Sequence, residues 1–147
     1  MSPTREEGRR ARGARGQVGS FVSRELKGEL VLRVLCYGPT PDLVDMLLLQ
    51  CSDGLWQRFF LSMGETFWSE VVGEEDAFAG YEDIVDEFVD VTDMLASRSL
   101  NVDTVEAREG AEWSVVITFD SGASLRLQAT DPESLESDSR LVVHPAV

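Results

Sequence analysis

The hydrophobic residues of this chain are grouped in short runs that glycine, proline and aspartate separate. Runs of about four to eight residues between turn-forming residues are typical of β-strands. The pattern predicts strands in these segments: 30–37, 43–51, 55–61, 100–106, 113–119, 123–129 and 140–144. Asp53-Gly54 and Asp120-Ser121-Gly122 lie between adjacent runs, and both predict tight hairpin turns because such turns need positive φ.

The segment between the two groups of strands has a different period. Its apolar positions recur at steps of three and four: Tyr81, Ile84, Val85, Phe88, Thr92 and Leu95. This spacing, with acidic residues in between, is typical of an amphipathic helix. We therefore predict an α+β fold with an antiparallel sheet of about six or seven strands. The sheet is expected to form two meander halves with one main helix near 81–95 between them. The halves resemble each other either through duplication or because β-hairpins in general share this sequence pattern.

Length and composition fit one ordinary soluble domain, since the chain has 147 residues, of which 43% are hydrophobic and 27% charged. Residues 1–20 are rich in Arg, Gly and Ser and predict a disordered basic tail, followed by a single domain over 21–147. No apolar stretch approaches the ~20 residues of a membrane span. The N-terminus also lacks the apolar region of a secretory signal, so we expect a cytoplasmic protein without membrane contact.

Negative charge is the strongest bias in the composition, because the formal net charge is −14. No Lys or Arg lies between Arg58 and Arg98. Such a field repels nucleic acids and anionic membranes, so we expect no direct nucleic-acid binding and a basic protein as partner. Trp68 is a candidate interface anchor. The candidate partner-binding carboxylates are Glu82, Asp83, Asp86, Glu87, Asp90 and Asp93.

The sequence contains no recognisable catalytic or cofactor motif. His144 is the single histidine, and no nearby nucleophile and acid complete a hydrolase triad. The acidic run 74–76 lacks the ligand spacing and turn glycine of a calcium loop. Cys36 and Cys51 lie in apolar runs and fit buried free thiols, with a disulfide or redox pair as the alternative. We expect no enzymatic activity, no metal and no cofactor.

The strand–turn–strand sequence WSVVITFDSGASL at 113–125 lies in a strongly anionic body. In this general pattern, residues 28–144 resemble the small acidic immunity proteins that bacteria encode beside secreted toxins. The resemblance implies a cognate toxin domain, often basic, whose active site is covered by an acidic surface. We therefore expect an immunity-type inhibitor. Two alternatives stay open: a phage-type mimic of nucleic acid, and a small-ligand-binding or enzymatic domain without a recognisable site.

Overall fold

A computed structural model describes residues 15–38, 40 and 43–146, and its main feature is a set of eleven strands with antiparallel pairing. The strands are β1 (Gly16–Val18), β2 (Phe21–Ser23), β3 (Leu30–Tyr37), β4 (Met46–Cys51), β5 (Leu55–Ser62), β6 (Glu65–Val72), β7 (Val89–Asp90), β8 (Leu100–Arg108), β9 (Ser114–Phe119), β10 (Ser124–Ala129) and β11 (Ser139–His144). Their order is β1-β6-β5-β4-β3-β8-β9-β10-β11, with β2 on β8 and β7 on β3. Each of the seven segments that the pattern predicts as a strand overlaps one, and β1, β2, β6 and β7 are additional strands.

The strands form two sheets. The first consists of β1, β6, β5, β4, β3 and β7, and the second of β2, β8, β9, β10 and β11. They join where Leu30 and Val31 of β3 pair with Asn101 and Leu100 of β8. They join a second time through the start of the described chain, because β1 pairs with β6 and β2 pairs with β8. The β1–β2 segment therefore ties the two sheets together.

The main core lies between the two sheets and follows the alternation of side chains along each strand. Leu47 and Leu49 of β4 face this core, as do Ile117 of β9 and Leu125 of β10, and all four are fully buried. Both predicted hairpin turns are present, with Gly54 at φ 85° and Gly122 at φ 91°. Glycine adopts positive φ without steric cost, so these turns set the register of their hairpins.

The first sheet is buried on both faces, which explains the uninterrupted apolar run at the start of β4. Met46 and Leu48 point away from the main core and join a second cluster with Leu35 and Trp56. Residues 74–95 lie over this second cluster, and we call that segment the acidic cover. A sheet covered on both sides loses the alternation of polar and apolar residues that a half-exposed sheet shows.

The predicted α+β fold is wrong, because the described chain has no main helix at 81–95 and has eleven strands in place of the predicted six or seven. The acidic cover instead contains the short helix α1 (Glu74–Ala77), 3-10 helical turns at Glu82–Glu87 and Thr92–Leu95, and strand β7. Part of the predicted apolar stripe faces inward, since Tyr81, Val85 and Phe88 pack on the second cluster and Leu95 joins the main core. The fold is mostly antiparallel β.

Two effects explain why the helix does not form: repulsion between acidic side chains within the segment, and backbone hydrogen bonds to strand β3. In a helix, Glu82 and Asp83 would each face an acidic side chain four residues on, which is destabilising. Ile84 leaves helical geometry at φ −130° and ψ 22°. The extended chain at β7 instead pairs with the free edge of β3, and Val91 N–H donates to Val34 O at 2.9 Å. Non-local hydrogen bonds thus outweigh a weak helical preference.

The folded domain begins earlier than the predicted boundary at residue 21. Residues 1–14 lie outside the described residues, so the greater part of the predicted tail is untested. Gly16–Val18, however, pair with Phe67, Trp68 and Ser69 of β6. The last residues of the predicted tail therefore belong to the first sheet.

Cys36 and Cys51 are buried free cysteines on neighbouring strands. Cys36 stands opposite Leu47, and Cys51 stands opposite Val31. This register separates the two cysteines by four positions along the ladder, which corresponds to roughly 13 Å. A disulfide requires Cα atoms within about 7 Å, so the sheet keeps these thiols apart.

Candidate protein-binding surface

Aromatic side chains hold the acidic cover on the first sheet. The Phe88 ring lies 5.2 Å from the ring of Tyr37 on β3, measured between centroids. Phe88 also lies 4.9 Å from Phe78 and 5.6 Å from Tyr81, both in edge-to-face geometry. Phe78 reaches Trp56 of β5 at 5.6 Å. Aromatic pairs of this kind contribute about 0.5–1.5 kcal/mol each beyond area burial, so the inner side of the cover is well anchored.

The predicted carboxylates occupy the solvent side of this cover, although not one face of a helix. All six are exposed: Glu82, Asp83, Asp86, Glu87, Asp90 and Asp93. The first four lie in the 3-10 segment Glu82–Glu87, on either side of the kink at Ile84, and the others lie on β7 and in Thr92–Leu95. Helix α1 adds the exposed residues Glu74, Glu75 and Asp76 to the same segment. The structure thus brings the predicted acids together without the predicted helix.

Trp68 does not join them. Its side chain is 2% exposed and belongs to the main core, on the opposite face of the first sheet from the cover. Its Nε1–H donates to Gln57 Oε1 at 2.8 Å. Trp68 is therefore a core residue that a partner cannot reach in the folded protein.

The carboxylates of the acidic cover are not neutralised by neighbouring cations. Among the described residues, none of them lies in an ion pair. Arg58 is close, but its guanidinium donates to the backbone carbonyls of Asp76 and Ala79 at 3.4 and 3.3 Å. Arg33 donates to Gln50 Oε1 at 2.6 Å and lies 5.7 Å from the Trp56 ring centroid. The negative charge of the cover therefore remains available to a partner.

The acids of the cover differ in what they do for the fold. Glu82 Oε2 accepts from Gly80 N–H at 3.1 Å, and backbone hydrogen bonds lower the pKa of Glu82. Asp90 Oδ1 accepts from Thr92 N–H at 2.9 Å and so shapes the turn that follows β7. Asp83, Asp86 and Glu87 accept no hydrogen bond from the described residues. These three carboxylates therefore do not stabilise the described fold through hydrogen bonds.

An apolar cleft opens beside these acids, and the sequence pattern did not indicate it. Val89 and Met94 of the cover are 51% and 55% exposed. They line a cleft of about 100 Å³ together with Cys36, Leu141 and Val143. The helical interpretation hid this feature, because it placed residues 81–95 on one continuous helix. Apolar contact at the centre and charge at the rim are the usual anatomy of a protein interface.

A buried polar network inside the first sheet was also missed. Glu70 is 1% exposed and accepts hydrogen bonds from Arg15 and from Gln57 Nε2, the latter at 2.8 Å. Gln57 in turn accepts from Trp68, so the chain of hydrogen bonds extends into the main core. The available signal was a glutamine and a glutamate at inward positions of β5 and β6. This network is fully bonded and serves the fold.

The described residues contain no group of three or more His, Cys, Asp or Glu placed to hold a metal ion. Their helices are all too short or too polar to cross a membrane. Comparison of the chain with protein-family models, curated proteins and solved structures finds no match.

Proposed function

We propose that this protein binds a basic partner protein through the acidic cover. In its specific form, the proposal is a bacterial, cytoplasmic immunity-type inhibitor that covers a basic toxin or effector domain and has no catalytic step of its own. The observation that carries it is the combination of carboxylates without ion pairs and an apolar cleft on one segment. A surface that is acidic only for contact with water does not require exposed apolar side chains such as Val89 and Met94 between its charges.

The two features have separate physical roles in binding. Uncompensated carboxylates steer a cationic partner and raise the association rate, by about 10-fold to 1000-fold at low salt. The cleft between Val89 and Met94 holds an apolar side chain of the partner and slows dissociation. Tyr81 and Phe88 fix the cover on the sheet, so little conformational entropy is lost when the partner binds.

The test is affinity capture from the source organism, followed by surface plasmon resonance with two matched charge reversals. The test variant is Asp83→Lys with Asp86→Lys and Glu87→Lys on the cover. The matched control is Glu133→Lys with Glu136→Lys and Asp138→Lys on the β10–β11 loop, where all three residues are exposed. We expect the first variant to slow association by ~10-fold or more at low salt, and the control to change it little. Met94→Gln should mainly speed dissociation.

A mimic of nucleic acid is the second candidate, because exposed carboxylates also occur on the β10–β11 loop. A mimic presents charge over several elements as a substitute for phosphates, so both charge reversals should weaken binding equally. Equal loss in the two variants would therefore favour the mimic over a local interface. Binding that survives both reversals, at all salt concentrations, would rule out both candidates.

A further inference from the structure

The outer face of the second sheet carries arginine side chains and is not covered by a described segment. No described segment lies over it in the way that the acidic cover lies over the first sheet. The last three Lys or Arg residues of the chain, Arg108, Arg126 and Arg140, all point outward from this face. We call it the arginine face. It stands on the opposite side of the sandwich from the acidic cover.

The sheet register places these arginines close to one another. Arg108 stands opposite Ser114, Ser114 opposite Gln128, and Gln128 opposite Arg140. Arg126 lies two residues before Gln128 on β10, opposite Val142 of β11. Arg126 and Arg140 are therefore diagonal neighbours, at a Cα separation of about 7–8 Å. Of these three arginines, Arg108 and Arg126 line the cavity described next, and Arg140 does not.

A cavity of about 380 Å³ opens on this face, within the usual size range of sites for small molecules. Its floor contains Ser114, Val116 and Arg126 from the strands. The 3-10 turn Gly110–Glu112 forms one wall, and Pro132 of the β10–β11 loop forms another. Six of the eleven residues that line the cavity are charged or polar, and Val116, Trp113 and Pro132 are among the apolar ones.

The two arginines that line the cavity differ in their ion pairs. Arg108 donates to Glu106 Oε1 from Nε at 2.9 Å and to Glu112 Oε2 from Nη1 at 2.6 Å, so its charge is compensated. Arg126 lies in no ion pair with the described residues, although the protein is rich in carboxylates. Arg126 is thus the one cation of the lining that is free to bind an anion.

Two polar groups near Arg126 differ in their hydrogen bonding. With the Gln128 amide oxygen turned toward Arg140, that oxygen accepts from Nε and Nη2 at 2.7 and 2.6 Å, which orients the Arg140 guanidinium. Trp113 also lines the cavity, is 2% exposed, and its Nε1–H has no hydrogen-bond partner in the described part of the chain. A buried indole donor normally has a partner.

We propose that this cavity binds a small molecule with a single carboxylate, held by the Arg126 guanidinium, with an apolar group against Val116 and Trp113. The planar guanidinium matches a carboxylate with two parallel hydrogen bonds. The two carboxylates of the lining, Glu106 and Glu112, offset its two arginines, Arg108 and Arg126, so the cavity has no excess of positive charge for phosphates or polyanions. This inference is independent of the acidic cover, which lies on the other sheet.

The test uses the full ¹⁵N-labelled protein, with sodium benzoate as the probe at constant ionic strength. Benzamide, a neutral molecule of the same shape, and inorganic phosphate are the comparison ligands. The signals to follow are the Trp113 indole N–H and the Arg126 side-chain N–H. We expect saturable shifts of both with benzoate and no saturable shift with benzamide. Arg126→Gln should weaken benzoate binding ~10-fold or more, because it removes a charge-assisted pair.

Arg98→Gln is the matched control, because it removes one exposed positive charge outside the arginine face and should leave benzoate binding unchanged. Arg126→Lys should give an intermediate affinity, since lysine keeps the positive charge but cannot form the two parallel hydrogen bonds of a guanidinium. A thermal melt checks that each variant folds. Three results would overturn the proposal: no saturable benzoate shift, phosphate binding without benzoate binding, or equal effects of Arg126→Gln and Arg98→Gln.

Discussion

Arg15 Nε donates to both carboxylate oxygens of Glu70, at 3.0 and 3.1 Å, across 55 residues of sequence. The backbone adds to the contact, because Glu70 N–H donates to Arg15 O at 2.8 Å. Burial acts to lower the pKa of Arg15, but the hydrogen bond and charge of Glu70 outweigh it and raise the pKa. Since β1 leads directly into β2, this pair fastens the segment that joins the two sheets.

Replacing Arg15 is expected to destabilise the protein. Arg15→Gln should lower the free energy of unfolding by about 2–3 kcal/mol, because it removes charge-assisted hydrogen bonds to a buried carboxylate. Guanidinium chloride denaturation measures the change. Arg24→Gln, at an exposed arginine, is the control and should change stability by less than about 0.5 kcal/mol. Equal stability of the two variants would show that the pair does not fasten β1.

Two N-terminal truncations separate the contribution of β1 from that of the residues before it. A chain that starts at Arg15 keeps both Arg15 and β1, and a chain that starts at Phe21 loses both. We expect removal of residues 1–20 to be clearly more destabilising than removal of residues 1–14, since β1 pairs with three residues of β6. Thermal melts of both chains give the comparison. Identical melting temperatures would show that β1 adds no stability, as the predicted disordered tail over residues 1–20 requires.

Repulsion within the acidic cover should make stability depend on salt. Added NaCl shortens the Debye length to about 8 Å at physiological strength and screens neighbouring carboxylates. We expect the melting temperature of the wild type to rise by about 2–4 °C, which corresponds to roughly 1 kcal/mol for a chain of this size. The Asp83→Lys, Asp86→Lys, Glu87→Lys variant should show a smaller rise. The same rise in both proteins would argue that these acids do not repel one another appreciably.

Stability should fall at alkaline pH because of buried thiols. Burial, with the nearby charges of Glu29 and Asp53, raises the pKa of Cys51 from 9.0 to about 12. Above pH 9 the unfolded chain releases this proton and the folded chain retains it, so the folded state binds more protons and stability decreases as pH rises. The slope contributed by Cys51 approaches about 1.4 kcal/mol per pH unit.

Urea denaturation at several pH values from about 8.5 to 10.5 measures this slope. Cys51→Ala should flatten the profile relative to the wild type, whatever its effect on stability at neutral pH. Some slope will remain, because burial also raises the pKa values of Cys36 and Tyr81. A Cys51→Ala profile parallel to that of the wild type would show that this thiol does not titrate as its burial requires.

The candidate surface was only partly predictable. The acids of the cover stand out in the sequence because no cation occurs near them, and they are exposed as charged residues usually are. Val89 and Met94 were not recognised as surface residues, because nothing in their local pattern distinguishes an exposed apolar residue from a buried one. Trp68 was assigned to the interface for its neighbours in sequence, whereas β6 turns it into the core.

The sequence by itself determined seven of the eleven strands and two hairpin turns, because alternation along a strand and positive φ at Gly54 and Gly122 are local properties. It did not reveal β1, β2, β6 or β7. Within residues 81–95 it also indicated that Tyr81, Val85 and Phe88 turn inward, but it did not indicate that Val91 is buried. The tertiary structure alone decided the backbone of that segment, since the edge of β3 offered hydrogen bonds that no local pattern reveals. The pairing of Arg15 with Glu70 was likewise decided in the fold, because hydrogen bonds between residues so far apart exist only once the sheets have assembled.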